Sequence, residues 1–302
     1  MSGDARQRKL TIAERRFAER AEELAKLGLR ERFERIYSTN LWSDPESRSG
    51  VGSTLDSTRV LRTELPTALR RLEARVLLDV PCGDFAWMEH VDLSGIEYIG
   101  GDIVRSIVEK NQRLHANKSR RFTLVDLTRD ELPDADVLLC RDCLVHLSYA
   151  NIRAVLANIA RSNIRFVLMT SFPGRRDNYD VADGDWRALD FQAPPFSFLE
   201  PRLAILENCE EEDGSYGDKS PRLARRGPSL AGRTTTIFSS LMRITLNVLA
   251  VLCLLVGCVW FLQGINILPG SFMTGQTKWA IYGGLLVVAG IGLFISANRR
   301  RV

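Results

Sequence analysis

At 302 residues with 45% hydrophobic content, the chain is long enough for one large domain or two smaller ones and too apolar to be disordered. Its 41 basic and 37 acidic residues leave a net charge of +4, a near balance that gives a nucleic-acid partner no footing, and none is expected. The balance hides a segregation: Asp and Glu run through the first 220 residues and are absent from Pro221 onward, the mark of a membrane boundary. The six cysteines (82, 140, 143, 209, 253, 258) form no disulfide framework, which fits a reducing compartment. The start, MSGDARQRKL, lacks the apolar core of a signal peptide, so the N-terminal part is expected to stay in the cytoplasm.

From Thr11 to Tyr37 the residues Phe17, Ala21, Leu24, Leu29, Phe33 and Ile36 recur at helical spacing among charges, which predicts one or two amphipathic helices. NLWSDPESRSGVGSTLDST then reads as a loop, and Trp42, Arg48, Ser49, Gly50, Gly52 and Ser53 are either a lid over a site or an ordinary connection. Residues 1–56 are therefore taken as N-terminal helices and lid loop, with a further helix from about Ser57 to Leu72.

Strand patterns follow at VLLDV (76–80), YIGGD (98–102), FTLVD (122–126), DVLLC (136–140) and FVLMTSF (166–172), separated by helical stretches such as IVRSIVEKNQRLHA and YANIRAVLANIARS. The alternation predicts right-handed crossovers and a parallel sheet covered on both faces, an α/β domain over 57–219. RLAILENCEE (202–211) could add an edge strand. The loop from Asp177 to Pro201 holds Tyr179, Trp186, Phe191, Phe196 and Phe198, either an acceptor pocket or core filling.

A basic linker (220–243) leads to ITLNVLAVLCLLVGCVWFLQ (244–263), twenty residues without a charge, long enough for a bilayer core of about 30 Å. WAIYGGLLVVAGIGLFISAN (279–298) repeats the pattern, with glycines that allow close helix contact. Arg222, Arg225, Arg226, Arg233 and Arg243 precede the first run, Arg299 to Arg301 follow the second, and the loop between has only Lys278. The positive-inside rule then predicts a two-pass hairpin (244–298) in the inner membrane with both termini in the cytoplasm.

In open parallel sheets ligands sit beyond the carboxyl ends of the strands, where strand order reverses. There the sequence places Asp79, Cys82, Gly83 and Asp84 after the first strand, Asp102 after the second, Asp126 after the third, and Cys140, Arg141 and Asp142 after the fourth. An acid ending the second strand suits the two hydroxyls of a ribose. The loop DVPCGD has a single glycine and two carboxylates, a poor cradle for a pyrophosphate, which disfavours a nicotinamide oxidoreductase. A ligand carrying an ammonium and a sulfonium, as S-adenosylmethionine does, would be attracted by those carboxylates. Cys140 and Cys143 make a lone CxxC without the further ligands that zinc needs.

The succession LLDVPCGD, YIGGDIV, LVDLTRD and LLCRDCLVHLS, over about residues 30 to 219, resembles the class I S-adenosylmethionine-dependent methyltransferases, and within them a bacterial group of uncertain substrate with NLW, SRSG and PCGD elements. The resemblance implies a Rossmann-like doubly wound domain in which Asp79, Cys82 and Gly83 bind the methionine portion of the cofactor. Asp84, where a glycine is common, joins that cofactor-binding set. It implies further that Asp102 binds ribose, Ile103 packs on adenine, Asp126 and Leu127 reach the adenine amino group, and Arg141, Asp142 and His146 line the transfer face, with Asp142 and His146 able to take a proton from the acceptor. WFLQGINILPGSFMTGQTKWAIYGG resembles small bacterial inner-membrane proteins of unknown function. The expected whole is a membrane-anchored methyltransferase whose acceptor is a small or lipid-linked molecule; the rival is a tethered nucleoside sensor without catalysis.

Each site residue also has a plain structural account. Asp79, Asp84 or Asp102 could cap a helix, Arg141 and Asp142 could be an ion pair, and His146 could be structural.

Overall fold

A computed structural model describes residues 12–42, 44–174, 177–208, 217–225, 234–268 and 275–298. The first eleven residues, Cys209, Arg226, Arg233 and Arg299 to Arg301 lie outside these ranges. The chain divides into two compact units, Met1–Ala231 and Gly232–Val302.

The first unit opens with two helices, α1 (Ile12–Ala25) and α2 (Leu29–Ser38), separated at Gly28, whose N–H is accepted by the Glu31 carboxylate (2.8 Å) at the start of α2. Their apolar stripes meet: Phe17, Leu24 and Ile36 are buried together with Leu41. α3 (Arg59–Arg71) follows and buries Leu61, Leu65 and Leu69.

The sheet has six strands: β1 (Val76–Asp79), β2 (Glu97–Asp102), β3 (Arg120–Leu124), β4 (Val137–Cys140), β5 (Phe166–Ser171) and β6 (Ser220–Arg225). Their order is β3-β2-β1-β4-β5-β6, with the first five parallel and β6 antiparallel to β5. Helix α4 (Arg105–His115) joins β2 to β3, and α5 (Tyr149–Arg161) joins β4 to β5. Side-chain alternation fills both faces of the sheet. Leu77, Tyr98, Val137 and Leu139 pack with α3 and α4, whereas Leu78, Val80, Ile99 and Leu138 pack with α5. Strand order reverses between β1 and β4, so the crevice that such a sheet offers lies at their carboxyl ends.

The structure corrects the sequence reading in three places. The third strand is Arg120–Leu124, two residues earlier than the apolar run FTLVD. As an edge strand it tolerates Arg120 and Arg121, while Val125 continues only through its N–H to the Asp102 carbonyl (2.9 Å), which leaves Asp126 in the following turn. The second edge is SPRLAR, the first six residues of the segment read as linker, paired in register from Phe166↔Arg225 to Ser171↔Ser220. Pro221 is accommodated because an edge strand does not need every N–H in the ladder. Of the segment 202–211 that could add an edge strand, residues 202–208 form an irregular run beside β6, with one bridge (Ala204↔Arg222) and the N–H groups of Ile205 and Glu207 donating to Pro221 and Lys219, and 209–211 lie outside the described residues.

The second unit is a pair of helices, α6 (Thr234–Gly264) and α7 (Thr277–Asn298). Glycines let them meet: a Cβ on Gly257 would come within 2.9 Å of the Gly283 carbonyl oxygen, and one on Gly264 would overlap the backbone of Ala280. Leu255, Val259, Leu285 and Val288 are among the apolar side chains left exposed around the pair. Among the described residues, Asn247–Gly264 is long and apolar enough to cross a membrane, with a mean hydropathy of 2.0, and Thr277–Gly292 is a shorter apolar stretch.

Candidate active site

A cleft opens at the carboxyl ends of β1 to β4, on the reversal of strand order. Asp79, Cys82, Gly83, Asp102, Ile103, Asp126, Leu127, Arg141, Asp142 and His146, all singled out in the sequence, line it. They lie on different strand ends, so the convergence is a product of topology. Its outer wall comes from α2 (Leu29, Phe33, Tyr37) and the following loop (Trp42, Ser49, Ser53), so the N-terminal segment covers the site.

At the β1 and β2 ends two carboxylates are almost wholly buried. Asp79 accepts the Tyr98 hydroxyl (2.7 Å), and burial pushes its pKa up to about 7 against that bond and the Arg141 charge. Asp102 accepts the N–H groups of Gly83 (3.1 Å) and Val104 (2.9 Å), and burial raises it to about 6. A carboxylate offers about four acceptor positions, so Asp102, which the Ile103 N–H also stabilises, fixes its own loop and retains capacity for a ligand hydroxyl. Gly83 has φ +55°, and a Cβ there would strike the Ser49 side chain, so both the turn and the approach of the covering loop require glycine. Cys82 is buried against Asn111, and burial pushes its thiol pKa well above the usual range, leaving an inert wall residue.

Asp84 does not line the cleft. Its carboxylate accepts the Ser47 hydroxyl (2.9 Å) and the Arg48 N–H (2.9 Å), and its own N–H donates to Ser49 Oγ (3.0 Å), so it fastens the covering loop to the β1 turn. At the β3 end Asp126 accepts from the N–H and hydroxyl of Thr128 and pairs with Arg129 (3.1 Å). The neighbouring Leu127 N–H makes no hydrogen bond among the described residues.

At the β4 end the sequence missed half of the arrangement. Arg141 is engaged by Glu207 through two bonds (2.9 and 2.7 Å), donates to the Gly52 carbonyl of the covering loop (2.7 Å), and pairs with Asp142 (3.1 Å). Lys219 Nζ donates to Asp142 (2.6 Å) and lies 3.6 Å from Glu207. The result is a quartet of two cations and two anions, buried except for Asp142, which is partly exposed to the cleft. Burial would raise Asp142, but the Arg141 and Lys219 charges overcome it and hold its pKa at about 2. Asp142 is thereby a fixed anion and a weak base. No local signal marked Glu207 or Lys219: the first lies within the stretch read as a possible edge strand, and the second immediately precedes the segment read as linker.

His146 lies on the turn Leu144–His146 after β4. Its Nδ1–H donates to the Asp185 carbonyl (2.8 Å), and its ring lies 4.8 Å from that of Trp42. Burial lowers its pKa to about 4, so the imidazole is neutral with Nε2 unprotonated, and Nε2 makes no hydrogen bond among the described residues. The aromatic loop after β5 does not reach the cleft. Phe191 and Phe196 are buried, Phe198 stacks on Phe191 (5.3 Å), and Trp186 packs edge-on to Phe172 (6.0 Å), so these rings fill the core.

No protein-family profile and no curated protein matches the chain. Among solved structures it is similar to the Burkholderia thailandensis 1,6-didemethyltoxoflavin-N1-methyltransferase bound to its namesake compound and S-adenosylhomocysteine, at 16% identity over 74% of this chain and 96% of that one, TM-score 0.45. It is similar also to human N-acetylserotonin methyltransferase in complex with S-adenosylmethionine, at 13% identity over 72% of this chain and 60% of that one, TM-score 0.42. The methyltransferase domain of bacterial CtHen1 matches at 16% identity over 39% of this chain and 66% of that one, TM-score 0.34. The chain thus spans less than two thirds of the latter two.

Proposed function

We propose that the chain is an S-adenosylmethionine-dependent methyltransferase anchored in the inner membrane by α6 and α7, acting on the cytoplasmic side on a small or lipid-linked acceptor. The observation that carries this reading is the pair of buried carboxylates, Asp79 and Asp102, facing one cleft at the reversal of strand order. Asp79, raised by burial and without an ion pair among the described residues, fits a ligand that brings positive charge. Asp102 fits a ribose, Ile103 and Leu127 fit the faces of a base, and the Leu127 N–H is available to a ring nitrogen. When bound, S-adenosylmethionine supplies an electrophilic methyl group, and its sulfur keeps the bonding electron pair.

The chain's own residues then have three tasks. Asp102 and the Gly83 turn hold the nucleoside end, the loop fastened by Asp84 and Arg141 excludes water, and His146 takes the acceptor's proton at Nε2. The Asp185 carbonyl fixes the tautomer that leaves Nε2 open. Asp142, locked to Lys219 and Arg141, orients the site but is not the base.

The test is calorimetric titration of S-adenosylmethionine into the full chain in detergent. Asp102→Ala should weaken binding by about tenfold or more, as loss of hydrogen bonds to a charged group does, with Asp102→Asn as the variant that keeps the loop. No binding to the folded wild-type chain would overturn the reading.

A further inference from the structure

The charge quartet behind the β4 end bears on what the site methylates. The cleft beyond β4 is walled by Leu29, Phe33, Trp42, Cys143, His146 and Leu147. The charged residues lining this end are Arg141 and Asp142, and each already has its opposite: Arg141 has both Glu207 oxygens, and Asp142 has Lys219 as well as Arg141. Two buried cations face the buried Glu207 and the partly exposed Asp142, so the group is neutral as a whole. His146 adds no charge, since burial lowers its pKa to about 4 against the bond to the Asp185 carbonyl, which sets only the tautomer. Arg32 and Arg187 do not line the cleft: Arg32 bonds the Leu27 and Asp183 carbonyls and lies 3.9 Å from the Asp183 carboxylate, and Arg187, bonded to the Leu144 and Val145 carbonyls, is wholly buried and out of an acceptor's reach.

A charged acceptor would leave water here for apolar walls and find no unmatched counter-charge, and an ion buried without a partner loses far more than it gains. A neutral apolar body loses nothing and gains contact with Phe33, Trp42 and Leu147. One polar atom of the acceptor has a ready partner, the open Nε2 of His146.

We propose that the molecule methylated at this site is uncharged and largely apolar, presenting one O–H or N–H to His146 Nε2. This excludes phosphorylated sugars, nucleotides, zwitterionic amino acids and charged lipid headgroups as the part that enters the cleft. The inference rests on the methyltransferase reading, and its test separates the two.

The full chain in a neutral detergent is titrated first with S-adenosylhomocysteine, then, saturated with it, with three phenols that differ only at the tail: 4-ethylphenol, 4-hydroxyphenylacetate and tyramine. Detergent without protein corrects for partition. The expected result is 4-ethylphenol binding at least tenfold more tightly than either charged analogue. Equal or tighter binding of the acetate or the amine overturns the inference, as does failure of 4-ethylphenol to bind at millimolar concentration while S-adenosylhomocysteine binds. Failure of S-adenosylhomocysteine itself overturns the methyltransferase reading and the inference with it. Lys219→Met, which unbalances the quartet toward negative, should shift preference at least threefold toward tyramine; an unchanged ratio in a variant that still binds S-adenosylhomocysteine rejects the quartet as the origin of selectivity.

Discussion

Asp79 shows how a site residue works against the fold that holds it. Its carboxyl titrates at about 7 in the folded chain because burial disfavours the anion, against an ordinary value of 3.8. A raised folded pKa gives stability that is complete below the ordinary value and lost as pH rises through 7. Asp79→Asn keeps an acceptor for the Tyr98 hydroxyl and removes the buried charge. It should therefore melt above the wild type at pH 8, with an advantage of at most about 4 kcal/mol from roughly 1.4 kcal/mol per unit, vanishing near pH 4, and it should bind S-adenosylmethionine more weakly. Melting curves across that range check the first part, and a variant no more stable at pH 8 than at pH 4 rejects it. His146 gives the complementary case. Burial holds it near 4, so it is an unprotonated base throughout the neutral range. For methyl transfer to 4-ethylphenol with S-adenosylmethionine saturating, so that Asp79 and Asp102 are already engaged by the cofactor, kcat should stay flat from pH 8 down to about 5 and fall only as Nε2 is protonated near 4. His146→Gln should lower kcat by about a hundredfold, a usual contribution of general-base catalysis, and abolish that acid limb while leaving S-adenosylmethionine affinity intact. A limb that persists in the variant assigns it to another group.

At the scale of elements, the covering loop and the segment 203–208 are joined to the sheet through the quartet rather than through a hydrophobic contact alone. Arg141 directly follows β4, Glu207 lies beside β6, and the Gly52 carbonyl belongs to the covering loop, so one guanidinium ties three parts of the chain. Glu207→Gln leaves two buried cations with one anion and should cost about 3 kcal/mol or more, the scale of breaking a buried ion pair. Adding Lys219→Met restores the balance, and denaturant unfolding should show the double variant more stable than the sum of the single losses; strict additivity would reject the coupling. This is also where the sequence ran out. Asp79, Gly83 and Asp102 were legible because an apolar run that ends in an acid and a glycine turn is a local pattern. Arg141 and Glu207 are 66 residues apart, and nothing in RLAILENCEE says that its glutamate turns inward. Asp84 sits in the same loop as Gly83, yet its partners are Ser47 and Arg48, also distant in sequence. β6 was obscured for a related reason: Pro221, Arg222 and Arg225 read as linker, and only pairing with β5 makes an edge strand of them.

At the scale of the whole molecule, the two units obey opposite rules for apolar surface. In the first, Leu77, Leu78, Leu138 and Val167 are fully buried, as water requires. In the second, Leu255 and Val288 are more than 60% exposed, while the buried line between the helices is given to glycine and alanine at Gly257, Gly264, Ala280 and Gly283. That inversion suits a solvent of hydrocarbon, where close backbone approach holds helices together and large apolar side chains face outward. The full chain should accordingly stay with membranes through alkaline carbonate extraction, and a chain ending at Ala231 should be released to the supernatant with an unchanged melting transition. If α6 and α7 each cross once, Lys278 lies on the far side from the cleft. Lys278→Cys should react with a membrane-impermeant maleimide in intact spheroplasts, above the background of the native cysteines, whereas Leu114→Cys, at an exposed position on α4, should react only after permeabilisation. Equal labelling of both before permeabilisation would place the cleft and the hairpin loop on the same side, and α6 and α7 would then lie on the membrane rather than through it.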